Sequence, residues 1–520
     1  MLASESASEP SGSRAAGSSR RPRRSWPRTL VVGAVLSVWL GTAFWETHKP
    51  LPPGMHTASD AYGADPAGLR FIADVSAADG YGRLVSSHAT FDTMLQVVRT
   101  ARELILLDAH QFTSDPPVPG TPPERSRRIA AELRDALIAR KREEPALRVL
   151  VMVDPTSVGY GRRRSADLER LQQAGIDVVV VRLDPLRDSN FLYSSLWRLT
   201  TQWWTSRVES AGTRAESAVG ASGAAAALAA ANLKADRRNL LIADDGRGGL
   251  TGIISATELS AAGAADSNLA LELSGPVLVR LIDSEIAIAR FSGWTGVLGA
   301  PAEGGAESAA TARAGDTDPR SEIDVSVLTE GAFRDALIGR CLAAQSGDAI
   351  DITAFYLSDR AVIESLVAAS RRGAAVRLIL DPGEDAFGRS GAGIPNRSVA
   401  GELLAASDGA IKVRWYRTHG ERFHPRLVLV RGPRRSWIAV GSANLTRRSL
   451  EDYDLDANGA LDLPSDSALA EQASEYFETL WNNRAALGIE YTADVGVYAD
   501  ASQLDYWRYR LMEATGLSLF

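Results

Sequence analysis

The feature that most constrains this chain is a pattern of elements that occurs twice. Residues 149–155 read VLVMVDP, and residues 376–382 read VRLILDP. Each is an apolar run of strand length that ends in Asp-Pro. TSD at 113–115 and LSD at 357–359 form a second matched pair. The sequence therefore predicts two α/β units with the same order of elements, which a duplication explains best.

Apolar runs alternate with helical stretches in both halves. The predicted elements are 104–107, 126–140, 147–153, 165–174 and 176–181 in the first half, and 349–352, 359–372, 376–380, 398–406 and 411–415 in the second. Strand-helix alternation of this kind is typical of an α/β sheet whose central strands are covered on both faces.

Length and composition divide the chain further. A chain of 520 residues is too long for one ordinary core, which favours two packed units, predicted here as 60–298 and 322–520. The small-residue stretch 299–321 is a predicted linker between them. Residues 211–231 are rich in Ala, Gly and Ser, and form either a weak helix or a disordered insertion.

The N-terminus contains a predicted transmembrane helix at residues 29–45, a run without charge. Residues 1–28 are rich in Ser, Pro and Arg and are predicted to be a disordered cytoplasmic tail. Arginines precede the apolar run, so the positive-inside rule places the remainder of the chain outside the cytoplasm. The alternative is a cleaved signal peptide with residues 41–43 as the cleavage site, although the long arginine-rich lead and the bulky Phe44 and Trp45 favour an anchor.

Polar residues with a regular spacing mark a candidate site in the second half. FHPR at 423–426 begins an apolar run, and GSAN at 441–444 follows the next one. Strand alternation followed by a Gly-Ser turn places the polar side chains on a common edge. They are His424, Arg426, Ser442 and Asn444. An edge of this composition suits a phosphate.

These residues resemble the phospholipase D superfamily, whose motif is H-x-K-x4-D followed by G-S-x-N. The resemblance covers most of residues 60–520. It implies two tandem domains, each a mixed β-sheet flanked by helices, packed with pseudo-twofold symmetry so that each supplies one motif to a shared site. It also implies that one histidine attacks phosphorus while the other protonates the leaving alcohol, without a metal or other cofactor.

The first half retains the frame of this motif with different residues in it. DRRNLLIADDG at 236–246 aligns with the family wording N-H-R-K-L-L-x-x-D-D-G. Arg237 then occupies the histidine position, Asn239 the lysine position and Asp244 the aspartate position. The G-S-x-N element becomes ISAT at 254–257, and in both halves the serine lies 18 positions after the first residue of the motif.

This alignment implies a role for each residue. His424 is the candidate catalytic residue. The candidate phosphate ligands are Arg237, Asn239, Ser255, Arg426, Ser442 and Asn444. Arg431 replaces the aspartate that supports the histidine in the family, so Asp454 or Asp456 is expected to orient His424, with Asp244 as a further supporting residue. His110 follows a predicted strand and is either a replacement acid or nucleophile, or a polar strand cap.

The favoured function is a phospholipase D-type phosphodiesterase or phosphatidyltransferase that acts on phospholipid headgroups, with activity impaired by the lost motif residues. The alternative is an inactive protein that binds anionic lipid or a partner, because each positioned acid-base group is worth about 10²–10⁴-fold in rate. A nuclease is less expected, since the net charge is −7 and no basic stripe is present. Phe191, Trp197, Trp203 and Trp204 belong either to a lipid-facing surface or to a core helix.

Overall fold

The computed structural model describes residues 26–114, 127–161, 164–202, 223–298, 322–383, 393–484, 489–498 and 502–518. The predicted tail is therefore undescribed before residue 26, and the predicted linker 299–321, Trp203 and Trp204 lie outside the described residues. Within the predicted insertion, residues 211–222 are undescribed, whereas Gly223–Ala230 is helical.

The first half forms a mixed sheet flanked by helices. Its helices are α1 (Trp26–His48), α2 (Ala89–Thr100), α3 (Ile129–Glu143), α4 (Ala166–Gln173), α5 (Phe191–Thr200), α6 (Gly223–Ala230) and α7 (Val277–Phe291). Its strands are β1 (Tyr62–Gly63), β2 (Arg70–Asp74), β3 (Ser76–Ala78), β4 (Leu84–Ser86), β5 (Leu104–Ala109), β6 (Arg148–Val153), β7 (Asp177–Val180), β8 (Leu240–Asp244), β9 (Leu250–Ser255) and β10 (Asn268–Ser274).

The second half has the same kind of architecture. Its helices are α8 (Glu330–Ala343), α9 (Arg360–Arg371), α10 (Asn396–Ala406), α11 (Arg447–Leu450), α12 (Ala468–Trp481) and α13 (Gln503–Thr515). Its strands are β11 (Asp324–Thr329), β12 (Ala349–Ala354), β13 (Ala375–Leu380), β14 (Lys412–Tyr416), β15 (Leu427–Arg431), β16 (Arg435–Gly441), β17 (Ala457–Pro464) and β18 (Thr492–Asp494).

The two large sheets have the same strand order. The first runs β2-β10-β9-β8-β5-β6-β7, and the second contains β11-β17-β16-β15-β12-β13-β14 with β1 and β18 added at its edges. In both, the central strand pairs in parallel with the next predicted strand, as β5 does with β6 and β12 with β13. The mixed sheets flanked by helices are thus confirmed, and the repeated order of elements is present in the strands themselves.

Local sequence explains why these elements form. Every residue of β5 is buried, as expected for a central strand with helices on both faces. Ser165 and Asp359 cap α4 and α9 by accepting hydrogen bonds from backbone amides in the first turn. The predicted boundaries of these two helices differ from the observed ones by a single residue at each end.

The two halves share one hydrophobic core. The same cluster of buried residues contains Ile254 and Leu271 of the first half, and Ile438 and Leu461 of the second. At this junction a Cβ on Gly459 would lie 2.9 Å from Leu271 Cδ2, so a larger residue at position 459 would force the Leu271 side chain to shift.

One N-terminal helix is long and apolar enough to cross a membrane, over Arg28–His48. Helix α1 extends beyond the predicted residues 29–45 at both ends and packs against α5. Trp197 of α5 is 4% exposed, so the lipid-facing interpretation is wrong for that side chain. Its ring belongs to the protein interior because it lies on the inner face of an amphipathic helix.

Candidate phosphate site

The two motif positions are held by contacts that cross between the halves. The amide of Arg237 donates to the carbonyl of Leu455 at 2.8 Å, and the amide of His424 donates to the carbonyl of Ser267 at 3.1 Å. Each motif position is therefore fixed by a carbonyl of the other half, which brings the two motifs to one junction.

The Asp-Pro repeat supplies a second matched pair of contacts. Asp154, after β6, accepts from the amide of Asp236 at 2.7 Å, and Asp381, after β13, accepts from the amide of Phe423 at 2.8 Å. Burial raises the pKa of both carboxyl groups, that of Asp381 to about 7. These carboxylates position the residue immediately before 237 and 424, a role that the sequence analysis missed although the repeat signalled it.

A third pair identifies the residues that face each motif position. The amide of Ala235 donates to Asp454 Oδ1, and the amide of Arg422 donates to Asp266 Oδ1, both at 2.9 Å. Asp454 in the second half therefore matches Asp266 in the first. Residues two positions further on, Asp456 and Asn268, match in the same way.

The imidazole of His424 is buried and neutral. Its Nδ1 lies 3.3 Å from Asn268 Oδ1, and its Nε2 lies 3.0 Å from Arg426 Nη2. A guanidinium can only donate, so Nε2 accepts and the imidazole proton is on Nδ1. Burial, then the charges of Arg426 and Arg422, hold the pKa of His424 well below its ordinary value.

The expectation that Asp454 or Asp456 orients His424 is wrong, because Asn268 of the other half faces Nδ1. Both aspartates are near in sequence to the second motif, but the chain carries them across to the first. Asp454 Oδ2 lies 3.3 Å from Arg237 Nη2, and Asp456 also interacts electrostatically with Arg237.

Arg426 is anchored by the motif that follows it. Its Nε donates to Asn444 Oδ1 at 2.9 Å, and burial lowers the pKa of the guanidinium to about 10.

Ser442 donates to Asp456 Oδ1 at 2.9 Å and accepts from the amide of Ala457 at 3.0 Å. Burial raises the pKa of Asp456 to about 7, although Arg237 opposes this shift. Arg426 thus links His424 to Asn444, whereas Ser442 is bound to Asp456.

In the first half, Arg237 occupies the motif position that His424 occupies in the second half. Its side chain is 16% exposed and pairs with Asp454, which also pairs with Arg448 at 3.2 Å. Despite burial, the charges of Asp454 and Asp456 raise the pKa of Arg237. The guanidinium is therefore a fixed cation that cannot transfer a proton.

Three other predicted residues make main-chain contacts. Asn239 accepts from the amide of His110 at 3.0 Å and donates to the carbonyl of Arg237 at 3.2 Å. Ser255 accepts from the amide of Thr257 at 3.1 Å. Asp244 accepts from backbone amides at Arg102, Glu103, Leu104 and Gly246. Asp244 thus supports the β8 turn, while phosphate binding by Asn239 and Ser255 stays a prediction.

His110 follows β5 and lies beside the first motif. Its Nδ1 is 2.8 Å from the carbonyl of Asp236 and 4.0 Å from Asp154 Oδ2. Because a carbonyl accepts, the proton is on Nδ1 and the lone pair is on Nε2. His110 corresponds in position to Phe355, the residue after β12, whose ring centroid lies 4.9 Å from that of His424.

Sequence reasoning missed an ion-pair cluster beside His424. Arg422 Nη2 lies 2.6 Å from Glu258 Oε2 and 2.5 Å from Asp266 Oδ2. Burial raises the pKa of Glu258, but the charge of Arg422 outweighs it, so the pKa lies well below its ordinary value. Glu258 therefore carries a negative charge near His424 and His110. The signal available in the sequence was its position directly after the ISAT tetrapeptide at 254–257.

The arrangement can bind an anion and has one imidazole for chemistry. Arg426 contacts the imidazole directly, while Arg237 and Arg422 pair with carboxylates at the junction. Cations that neutralise phosphate oxygens are what attack on a phosphodiester requires. Among the described residues, no group of His, Cys, Asp and Glu could hold a metal ion.

Comparison with known proteins agrees with this architecture. Residues 340–481 match the family model described as cardiolipin synthase, PLD-like domain. No curated protein sequence matches the chain.

The crystal structure of phosphatidylserine synthase from Haemophilus influenzae superposes with a TM-score of 0.53 and 13% identity, over 88% of this chain and 94% of that one. At this identity the likeness concerns the fold alone. Polyphosphate kinase from Porphyromonas gingivalis matches with a TM-score of 0.41 and 14% identity, over 86% of this chain and 53% of that one. The phospholipase D family member Nuc from Salmonella typhimurium matches with a TM-score of 0.24 and 19% identity, over 33% of this chain and 97% of that one.

The last two scores are too low to support an argument. The family match in the second half, the strand order common to both halves and the fold of the synthase agree with the motif resemblance. Residues 340–481 therefore match a PLD-like family model, and the fold of the chain is similar to that of the synthase.

Proposed function

We propose that this chain is a phospholipase D-type phosphodiesterase or phosphatidyltransferase of phospholipid headgroups whose turnover is strongly impaired. The observation that carries the proposal is His424, a buried neutral imidazole with its lone pair on Nε2 and with Arg426 and Arg422 as neighbouring cations. A phosphodiester carries one negative charge, which Arg426 can balance, because Arg237 and Arg422 already pair with Asp454 and with Glu258 and Asp266.

The chemistry would begin with a change of partner at Arg426. Its Nη2 donates to His424 Nε2 at 3.0 Å, so the hydrogen bond must pass to a phosphate oxygen before the lone pair can attack. Attack in line then forms the N–P bond and breaks the P–O bond to the alcohol. Water or a second alcohol would reverse these changes and release the histidine.

The difficult step is protonation of the leaving alcohol. The corresponding residue of the first half is Arg237, whose pKa is raised by Asp454 and Asp456, so it cannot act as the acid. Loss of one positioned acid is worth about 10²–10⁴-fold in rate. A second function is binding of anionic lipid without turnover. It is favoured by Arg237, which cannot act as the acid, and by the hydrogen bond from Arg426, which occupies Nε2 of His424.

We further propose that α1 anchors the chain in a membrane, with the N-terminus in the cytoplasm and the two α/β units outside. The uncharged run and the arginines that precede it support this orientation. A lipid substrate then lies at the surface to which the protein is attached.

The test measures headgroup release from phosphatidylglycerol and phosphatidylcholine by the full-length protein in mixed micelles. Slow release that disappears in His424→Ala supports the enzyme, whereas equal release in both removes His424 from the mechanism. A triple variant restores the family residues through Arg237→His, Asn239→Lys and Arg426→Lys. Release only from that variant, together with lipid binding by the wild type, identifies the natural chain as a binder.

A further inference from the structure

Helix α1 is too short to cross a bilayer if the rest of the chain stays in water. The hydrocarbon core is about 30 Å thick and takes about 20 helical residues. Residues 28–38 are exposed, and the protein body begins to cover the helix at Trp39. The thirteen residues from Trp26 to Val38 span only about 20 Å at about 1.5 Å per residue. About 10 Å of hydrocarbon must therefore surround the part of α1 that packs on the body.

That part of α1 contacts α5. Trp39 Nε1 donates to the carbonyl of Leu192 at 3.2 Å, and Ala43, one turn later, is 4% exposed. Near the end of α1, the carbonyl of Glu46 accepts from the amide of Asp188 at 3.0 Å. Helix α5 therefore lies beside the final turns of α1. This is the part of α1 that must be surrounded by hydrocarbon if the helix crosses the bilayer.

The outer surface at this depth is apolar. On α5, Leu196 is 52% exposed and Leu199 is 40% exposed, three residues apart and so on one face. Helix α6 packs beside α5, where Tyr193 donates to the carbonyl of Leu228 at 2.6 Å. Gly223–Ala230 contains only Gly, Ala and Leu, and a helix without a polar face is unsuited to a water-exposed surface.

Charged side chains begin where this apolar surface ends. Glu46 pairs with Lys49 at 2.7 Å and with Arg198 at 3.1 Å, and Arg198 pairs with Asp188 at 2.7 Å. Ion pairs at this level fit the interface between hydrocarbon and water, since an unpaired charge in lipid is costly. They set the water-side limit of the membrane near Glu46.

We infer that α5 and α6 form a membrane-embedded collar around the base of α1, with Leu196, Leu199 and Leu228 in contact with the acyl chains of one leaflet. This inference rests on the membrane anchor of the proposed function. The collar also brings lipid near the candidate site, because Arg237 follows Ala230 by seven residues and thus lies within about 25 Å of it along the chain.

The test uses nitroxide labels on single introduced cysteines in the full-length protein, reconstituted in vesicles of phosphatidylglycerol and phosphatidylcholine. Leu196→Cys and Leu199→Cys report on the collar, Val35→Cys reports on the span, and Leu342→Cys is a matched leucine control that is 54% exposed at the far end of α8. Cys341 is buried, so wild type treated in parallel supplies the blank. Power saturation compares accessibility to oxygen, which enters lipid, with accessibility to a water-soluble nickel complex.

The expected result is loss of nickel accessibility at Leu196, Leu199 and Val35, with full accessibility at Leu342. If the Val35 label is in lipid but the Leu196 and Leu199 labels are as accessible to nickel as the Leu342 label, the collar is wrong and the anchor is still supported. A Val35 label that is accessible to nickel overturns the anchor itself, and the collar with it.

Discussion

Replacing Arg238 by methionine is predicted to cost about 3–5 kcal/mol of folding free energy, because it leaves buried carboxylates without their cation. Arg238 is fully buried and pairs with Glu285 at 2.9 Å and Glu330 at 2.6 Å. It also donates to the carbonyl of Met55 at 2.8 Å. The guanidinium thus joins β8, α7, the segment after α1 and the start of α8, so its loss removes a link between the halves.

The assay is urea unfolding of the full-length protein in detergent, followed by tryptophan fluorescence. Arg70→Met is the matched control, since Arg70 is half exposed and pairs with Glu272 at 3.0 Å, and an exposed pair is worth at most about 1 kcal/mol. Adding Glu330→Gln to Arg238→Met should recover part of the loss by removing one uncompensated charge. If Arg238→Met costs no more than Arg70→Met, the reasoning about this buried network is wrong.

Three further predictions concern titration and burial. The ordinary pKa of histidine is 6.5 and that of His424 lies well below it, so the unfolded state alone gains this proton as pH falls below 6.5. The free energy of unfolding of wild type, relative to that of His424→Gln, should therefore fall by about 1.4 kcal/mol per pH unit from pH 6 to 5, as measured by urea unfolding. A constant difference would contradict the lowered pKa. Affinity for glycerophosphoglycerol, a phosphodiester that does not titrate here, should rise about tenfold from pH 8 to 6 as Asp456 gains a proton, and Asp456→Asn should reduce that dependence in calorimetry; an unchanged dependence would contradict the role of Asp456. Burial raises the pKa of Cys341 to about 11, so a maleimide should label it only after unfolding; rapid labelling of the native protein would contradict its burial.

Much of the fold was predictable because its signals are local. Apolar runs of strand length and capping residues identified the central strands and α4 and α9, since burial on both faces and cap hydrogen bonds act within a few residues. The apolar N-terminal run was equally visible, although its helix proved longer at both ends.

The partners of the motif residues were not predictable in the same way. Asp454 and Asp456 follow the second motif closely in sequence, yet they face Arg237 of the first. Contacts that cross between units depend on tertiary packing, which spacing along one chain does not encode. The matched tripeptides DSN at 266–268 and DLD at 454–456 were the available signal. Each lies across the junction from the motif that it serves.

Because these residues face the motif of the other half, the motif histidine, His424, is separated from Asp456, the carboxylate that matches Asn268. His424 faces the amide of Asn268, whereas the matching carboxylate, Asp456, faces Arg237. A neutral amide orients an imidazole but does not stabilise its charged form, so His424 lacks the partner that would support proton transfer. The two half-sites therefore differ at both matched positions, with His424 and Asn268 in one and Arg237 and Asp456 in the other.

Asn268→Asp should reunite the two groups. A carboxylate at the position of Asn268 Oδ1, 3.3 Å from Nδ1, should raise the pKa of His424 by about 1–3 units, because opposite charges favour the imidazolium. Carbon-13-labelled histidine NMR measures the midpoint, with His424→Gln to assign the signal and Asn268→Ser as a neutral control. An unchanged midpoint in Asn268→Asp would mean that burial and the neighbouring arginines, rather than the missing carboxylate, keep this histidine neutral.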